Sequence, residues 1–409
     1  MLYERYLRAY AEQFRKTDRN MWNYEDGCVL IGLCALYRAT EDEQFFRSLR
    51  EFTDRYIEQD GTIRHYVAEE YNLDYIPAGR VLFTLYEKTK EPRYRKAIEN
   101  LEEQLRHQPR TKCGSFWHKG IYPNQVWLDG LYMGLPFHTE YALTFGDAAT
   151  LDDIMLQFRN ARKYLYDEKT GLYYHAWNET RDMFWANPET GLSPNFWTRA
   201  IGWYLMALAD IYAMLPEDRA DLKTEMAALW KEAIDGMLRW QEPDSGLFYQ
   251  LTALPEVKGN YLETSGSLMV AYSLLKGARL GVLDAPEYRE AGEKILLGIE
   301  LHKFKLYNGK LELHGICKGA GLGPAGNFRR DGSVGYYLSE DVVHDEQKGV
   351  GVCMMAFAEY LMAKKAGKLV DDFPKVSIFN KGYDPIMPND PVFAAFEKSR
   401  AQKTTNAAG

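Results

Sequence analysis

One kind of apolar segment recurs six times along this chain of 409 residues, and that recurrence constrains the fold more than any other feature. Each copy opens with aromatic and polar residues and continues into small and apolar residues at helical spacing. The copies cover residues 21–37, 71–86, 126–145, 196–214, 261–281 and 346–363, and they are marked by Gly27, Gly79, Gly130, Gly202, Gly266 and Gly349. The pattern predicts six inner helices, one in each unit of roughly 50 to 80 residues.

More charged segments, each with one apolar stripe, lie between the inner helices. Examples are EDEQFFRSLREFTDRYIEQ, EPRYRKAIENLEEQLRHQ, DLKTEMAALWKEAIDGMLRW and EYREAGEKILLGIELHK, and several are followed by a glycine turn and a short extended piece. Such a unit cannot bury its apolar face alone, so the copies must pack side by side. An open solenoid would need polar capping repeats, but the first and sixth inner segments are as apolar as the others. The sequence therefore predicts an all-α fold, a closed six-hairpin (α/α)6 barrel (toroid) with short strands at its mouth.

Charge and composition narrow the class of protein further. The formal net charge is −8 and no long basic run is present, so we expect no nucleic-acid partner. No window approaches 18 uncharged apolar residues and the first residues are charged throughout, so we expect a cytoplasmic protein without a membrane segment. The five cysteines show no CxxC spacing and are expected to be buried free thiols.

The domain organisation follows from the repeat. We expect residues 1–397 to form a single barrel domain and the small, polar residues 398–409 to form a flexible tail. The chain is expected to be a monomer or a weak homo-oligomer.

Polar and aromatic residues collect at the starts of the inner helices, which converge on one mouth if all six helices point the same way. They include Trp22, Asn23, Tyr24, Asp26, Asn72, Asp74, Trp117, His118, Lys119, Trp127, Asp129, His175, Trp197, Arg199, Trp203, Glu263, Thr264, His344 and Lys348. Each has an ordinary structural alternative, since an aspartate at a helix start is often a cap and a tryptophan is often core. Together they favour a carbohydrate cleft, because sugar faces stack on aromatic rings while sugar edges bind carboxylates, amides and an arginine.

Four motifs in order give the chain a family resemblance. QVWLDGLYMGLPF, TGLYYHAWNE with SPNFWTRAIGWYLMAL, LETSGSLMVAYSLLKG and RDGSVGYYLSEDVVHDEQKGVG resemble successive signatures of glycoside hydrolase family 105, the unsaturated rhamnogalacturonyl hydrolases. The resemblance runs from about residue 20 to about residue 365, and it is weaker to the related unsaturated glucuronyl hydrolases. It implies the same six-hairpin barrel.

The resemblance also implies roles for individual residues. Asp129 of VWLDG would be the general acid and base, and Asp74 of YNLDY the second carboxylate. Substrate-binding positions would be His175, Trp197 and Arg199 around the uronyl ring, the basic pair His118 and Lys119, Trp127 stacked on the sugar, and Trp22, Tyr24, Asn72 and Trp203. The substrate would be an oligosaccharide ending in an unsaturated uronic acid, with no metal and no organic cofactor.

The implied reaction hydrates a C4=C5 double bond. Asp129 would protonate C4 and then accept a proton from the water that adds at C5. We therefore expect the pKa of Asp129 to be raised by burial or by Asp74. No Cys/His cluster of ligand spacing is evident in the sequence.

Two other functions stay open at this point. The first is a sugar epimerase or isomerase that uses His175 and His344 as facing bases, although VWLDG would then have no role. The second is a silent carbohydrate-binding protein, which the two aspartates disfavour. An ordinary salt bridge to Glu189 is the structural alternative for Arg199.

Overall fold

The computed structural model describes residues 2–146 and 149–369, and the tail expected at 398–409 lies outside them. The α-helices of this part are α1 (Leu2–Phe14), α2 (Tyr24–Thr40), α3 (Glu43–Thr53), α4 (Arg80–Thr89), α5 (Pro92–Arg106), α6 (Leu128–Thr144), α7 (Thr150–Leu165), α8 (Thr198–Met214), α9 (Ala220–Leu238), α10 (Thr264–Leu280), α11 (Pro286–His302), α12 (Val334–Leu338) and α13 (Gln347–Lys365). Helices α2, α4, α6, α8, α10 and α13 are the six expected inner helices.

The inner helices contact one another in chain order, and α13 then packs against α2 to close the ring. Small residues make this closure tight. A Cβ atom on Gly351 of α13 would lie only 2.3 Å from the carbonyl carbon of Cys28 on α2. The expected (α/α)6 barrel is therefore confirmed, and the open solenoid is excluded.

The outer ring consists of α3, α5, α7, α9 and α11, together with α1 from the beginning of the chain. The ring of Tyr3 on α1 stacks on Phe357 of α13 at a centroid distance of 5.2 Å. Its hydroxyl donates a hydrogen bond to the carbonyl of Leu296 on α11. The sixth hairpin is thus completed by the first helix of the chain, which the sequence analysis did not identify.

The second inner segment differs from the expectation. In place of a helix over 71–86, three 3₁₀ turns at Ala68–Glu70, Leu73–Tyr75 and Pro77–Gly79 precede α4. Pro77 has no N–H group to continue a helical hydrogen-bond ladder. The Asn72 side chain also accepts the backbone N–H of Asp74 at 3.0 Å, which favours a turn. Asp74 consequently lies on a turn before the helix.

Short antiparallel strand pairs lie between the helices. The strands are β1 (Gln125–Trp127), β2 (Tyr166–Asp167), β3 (Leu172–Tyr173), β4 (Ala176–Asn178), β5 (Phe248–Tyr249), β6 (Leu262–Glu263), β7 (Phe304–Tyr307), β8 (Lys310–Leu313), β9 (Ile316–Cys317) and β10 (Val342–Val343). The pairs are β1 with β4, β2 with β3, β5 with β6, β7 with β8 and β9 with β10. Two of the expected extended pieces, near residues 60–67 and 112–120, form only single bridges.

A cluster of buried charges joins four inner helices. Asp210 of α8 accepts from Lys276 of α10 at 2.6 Å and lies 2.8 Å from the guanidinium of Arg80 on α4. Arg80 also donates to the hydroxyl of Tyr132 on α6 at 3.1 Å. Because burial alone would raise the pKa of Asp210, its value of about 2 reflects the two cations beside it.

Two expectations from composition can be compared with the described residues. All five cysteines are free; four are buried as expected, but Cys113 is only half-buried. None of the described helices combines the length and the apolar content that crossing a bilayer requires.

Candidate active site

The pairing of β1 with β4 places Asp129 beside His175. The register aligns Trp127 with Ala176, and the N–H of Leu128 donates to the carbonyl of His175 at 3.0 Å. Asp129 is the second residue of α6, whose unpaired N–H groups favour negative charge at this end. A strand pair and a helix start therefore bring together two residues that are 46 positions apart in the sequence.

Asp129, His175 and Tyr337 form a buried row of three polar groups. The Nε2 atom of His175 lies 3.1 Å from Oδ2 of Asp129. On the other side of the ring, Nδ1 lies 2.7 Å from the hydroxyl of Tyr337. One proton can therefore be held between the carboxyl group and the imidazole, while Tyr337 fixes the orientation of the ring. Sequence reasoning missed Tyr337, although it lies in the quoted motif RDGSVGYYLSEDVVHDEQKGVG.

The expected upward shift of the Asp129 pKa is wrong for the free protein. Burial does raise the pKa of this carboxyl group, but the imidazoles of His175 and His118 lower it by more, so it lies below its ordinary value. Asp74 was expected to raise the pKa of Asp129, but its carboxylate forms an ion pair with Lys119.

Asp74 and Lys119 form an ion pair, in which Nζ of Lys119 lies 2.6 Å from Oδ2 of Asp74. Burial lowers the pKa of Lys119, but the carboxylate of Asp74 more than offsets this, and the pKa is raised overall. His118 lies 3.6 Å from the other carboxylate oxygen, and burial lowers the pKa of its imidazole to about 4. At neutral pH this end of the site holds a lysine–aspartate ion pair and a neutral imidazole.

Aromatic rings join the two acidic residues into one cluster. Trp127 stacks on His118 at 4.5 Å and meets His175 edge-on at 5.3 Å. Tyr122, which sequence reasoning missed, stacks on Trp127 at 4.8 Å. On the far side, Trp197 lies 4.8 Å from His175. Gly130 permits the approach of His118, because a Cβ atom there would lie 3.2 Å from its Nδ1.

Arg199 is 1 % exposed and its guanidinium binds protein groups. It donates to the carbonyl of Cys317 and to the hydroxyl of Ser265 at 3.2 Å, and it lies 4.6 Å over the ring of Trp197. The alternative role for Arg199, a salt bridge to Glu189, is not formed, since Arg199 has no carboxylate within ion-pair distance among the described residues. Its position supports Trp197 and the start of α10.

The other four predicted binding residues lie around the same helix starts. Trp22 is buried and donates to the carbonyl of Tyr75 at 2.8 Å, while Asn72 caps the turn that carries Asp74. Trp203 is buried against Tyr132 at 4.8 Å and meets Tyr24 at 6.3 Å. Burial, followed by the charge of Asp74, raises the pKa of Tyr24. Of these four, Tyr24 and Asn72 lie beside the acidic site residue Asp74.

Arg330 is a further cation at this site that sequence reasoning did not single out. A Cβ atom on Gly321 would lie 3.2 Å from Cζ3 of Trp127 and 3.4 Å from Nη1 of Arg330, so both side chains lie next to Gly321. Its charge also acts on Lys119 and lowers that residue's pKa. The side chain is half-buried, and no carboxylate of the described residues lies within ion-pair distance.

The part of the chain that the structure describes contains one group of three side chains placed to hold a metal ion, Glu312, His314 and His344. The expectation that the protein needs no metal stays a prediction. The alternation of LELH at 311–314 could have revealed Glu312 and His314. His344 belongs to this cluster and no described contact links it to His175, so the pair of facing bases required for an epimerase is not formed.

The closed helical barrel holds an aspartate and a histidine in contact beside stacked aromatic rings, and this arrangement fits a glycoside hydrolase. The sequence profile of Glycosyl Hydrolase Family 88 matches residues 3–364, so the chain belongs to this family.

Known relatives agree with this assignment. A Clostridium acetobutylicum glycoside hydrolase from family 105 superposes with a TM-score of 0.84 at 42% identity, covering 88% of this chain and 99% of that one. Protein Atu3128 of Agrobacterium fabrum is 41% identical over 234 residues, which are 56% of this chain and 99% of the relative. The unsaturated rhamnogalacturonyl hydrolase YesR of Bacillus subtilis is 25% identical over 265 residues, which are 63% of this chain and 72% of the relative.

Proposed function

We propose that the protein removes the unsaturated uronic acid from the non-reducing end of oligosaccharides derived from pectin and rhamnogalacturonan. The observation that carries this proposal is the 3.1 Å contact between Asp129 and His175 beneath the aromatic cluster of Trp127, Tyr122 and Trp197. The relationship to an unsaturated rhamnogalacturonyl hydrolase supports the choice of substrate.

The C4=C5 double bond of such a substrate is a vinyl ether conjugated to a carboxylate. Protonation at C4 and addition of water at C5 give a hemiketal, which opens and releases the partner sugar and a 4-deoxy-5-keto uronate. The proton consumed at C4 is replaced by the proton that the attacking water loses, so the net change is the addition of one water. Because the glycosidic bond is not displaced directly, the separation rules for retaining and inverting carboxylate pairs do not apply.

The lowered pKa of Asp129 fits this chemistry through His175. In the free protein the lowered pKa of Asp129 keeps its carboxyl group ionised beside the imidazole of His175. Binding an anionic substrate adds a nearby negative charge and excludes water, and both effects raise the pKa of Asp129. Asp129 then takes up a proton, delivers it to C4 and afterwards accepts one from the water at C5.

Arg330 is the group best placed to hold the substrate carboxylate. Lys119 is already paired with Asp74 at 2.6 Å, and Arg199 is buried against protein carbonyl and hydroxyl groups. Arg330 shares Gly321 as a neighbour with Trp127 and has a planar guanidinium that suits bidentate contact with a carboxylate. The uronyl ring would then stack on Trp127, with Asp129 below its double bond.

The proposal is tested with a panel of disaccharides made by polysaccharide lyases. We expect faster loss of the enuronate ultraviolet absorbance with unsaturated galacturonyl-rhamnose than with unsaturated glucuronyl products. The opposite preference would assign the protein to unsaturated glucuronyl hydrolysis. No turnover of any unsaturated member would overturn the proposal.

A further inference from the structure

Two of the three candidate metal ligands lie at the end of β8. Glu312 belongs to the strand and His314 follows its last residue, and residues two apart in an extended segment point to the same face. Both residues are buried, and Nε2 of His314 lies 3.0 Å from Oε2 of Glu312.

The third ligand comes from the segment between β10 and α13. The imidazole of His344 stacks on that of His314 at 5.0 Å, and its Nδ1 lies 3.7 Å from the same oxygen of Glu312. One ligand atom from each of the three residues lies within 4.8 Å of the others. Ligand atoms bound to one tetrahedral zinc ion at about 2.0–2.2 Å are about 3.4 Å apart, so the observed separations are close to those of a binding site.

A fourth donor stands next to the cluster. Oδ2 of Asp345 lies 3.5 Å from Nδ1 of His344. The other oxygen of Asp345 accepts hydrogen bonds from the hydroxyl of Tyr6 and from the N–H of Leu313, which hold the carboxylate in place. Two imidazoles and two carboxylates form a donor set that suits zinc and neighbouring divalent transition metals better than calcium or magnesium.

We propose that Glu312, His314 and His344, with Asp345 beside them, form a zinc-binding site that stabilises the closure of the barrel. The site lies where three parts of the chain meet, since β8 and the segment before α13 supply the ligands and Tyr6 of α1 holds Asp345. A metal bound here ties the sixth hairpin together and takes no part in the chemistry at Asp129.

The first experiment measures zinc binding by the untagged, chelator-treated full-length protein. Titration with zinc chloride against a chromophoric chelator is expected to give one tight site per chain. His344→Ala is expected to lower the affinity at least tenfold, because it removes one ligand from a partly exposed position. His107→Ala, which removes an exposed histidine just after α5, is the matched control and should retain the site.

The second experiment distinguishes a metal site from a hydrogen-bonded Glu–His cluster. Cobalt(II) added in place of zinc should give the strong visible absorption bands of a four-coordinate site, and Glu312→Gln, which keeps the side-chain shape, should lose them. Saturating zinc should also raise the Tm of the wild type by about 1–3 °C and leave that of His344→Ala unchanged. Equal zinc affinity in wild type and His344→Ala, or a folded wild type that binds no zinc at micromolar concentration, would overturn the proposal.

Discussion

Nε2 of His175 lies 3.1 Å from Oδ2 of Asp129, and this contact sets the charge of the buried carboxyl group. Burial alone would raise the pKa of Asp129, whereas the histidine lowers it below its ordinary value. The two residues therefore act as a single proton-holding unit.

Replacing His175 should move the pH dependence of the reaction. His175→Asn removes the imidazole that lowers the pKa of Asp129. The carboxyl group stays buried, so its pKa should rise. The limb of the kcat/KM profile that reports Asp129 in the free enzyme should shift to higher pH. A profile that is lower at every pH but unshifted would contradict the coupling. His107→Asn is the control, because that histidine is exposed and lies just after α5.

Arg330 should act on substrate binding more than on the chemical step. Arg330→Met keeps much of the side-chain length but removes the charge that faces the substrate carboxylate, so KM should rise about tenfold or more with a smaller fall in kcat. Steady-state kinetics with an unsaturated disaccharide measure both values. Arg329→Met is a matched control, since the neighbouring arginine is exposed and paired with Glu340 at 2.8 Å. Equal effects of the two substitutions would refute the role of Arg330.

Arg199 should behave as a structural residue. Arg199→Met leaves the carbonyl of Cys317 and the hydroxyl of Ser265 without their donor in a buried region, which costs on the order of 2–4 kcal/mol. Thermal unfolding should show a Tm several degrees below wild type, and the folded variant should keep a KM within a few-fold. A normal Tm with a large rise in KM would instead assign Arg199 to the substrate.

Glu300 should make the protein less stable as the pH rises. Burial raises the pKa of this carboxyl group from 4.5 to about 7, so the folded state holds the proton more tightly than the unfolded state. The stabilisation is complete below pH 4.5 and is lost as the pH passes through 7. Glu300→Gln should therefore raise the Tm by about 1–3 °C at pH 8 and by much less at pH 5. An equal change at the two pH values would contradict the assignment.

The repeat pattern sufficed to predict the barrel because six apolar helices with close glycine contacts admit few other arrangements. Gly351 against Cys28 is such a contact. Helix α1 was missed because it completes the last hairpin from the other end of the chain. Around Asn72 and Pro77 the chain forms turns where a helix was expected. Local hydrogen bonds determine these turns, and the periodicity of the sequence does not report them.

The family resemblance brought Asp129, His175, Asp74 and the basic pair together as candidates, and the structure places them in one cluster. The resemblance did not predict the direction of the Asp129 pKa shift, because that shift depends on which groups lie within a few ångströms of the carboxyl group. Arg330 and the group of Glu312, His314 and His344 were missed for a related reason. Their proximity arises from loops and strand pairs that join distant parts of the chain.

The central claim is that Asp129 hydrates the double bond of an unsaturated uronide, and a matched pair of substrates tests it most directly. The pair consists of one disaccharide with an unsaturated uronyl residue and the same disaccharide with a saturated one. Release of the partner sugar should occur only from the unsaturated member, and Asp129→Asn should slow that release by about 10²–10⁴ fold with an unchanged Tm. Comparable release from the saturated disaccharide, or near wild-type turnover by Asp129→Asn, would contradict the account.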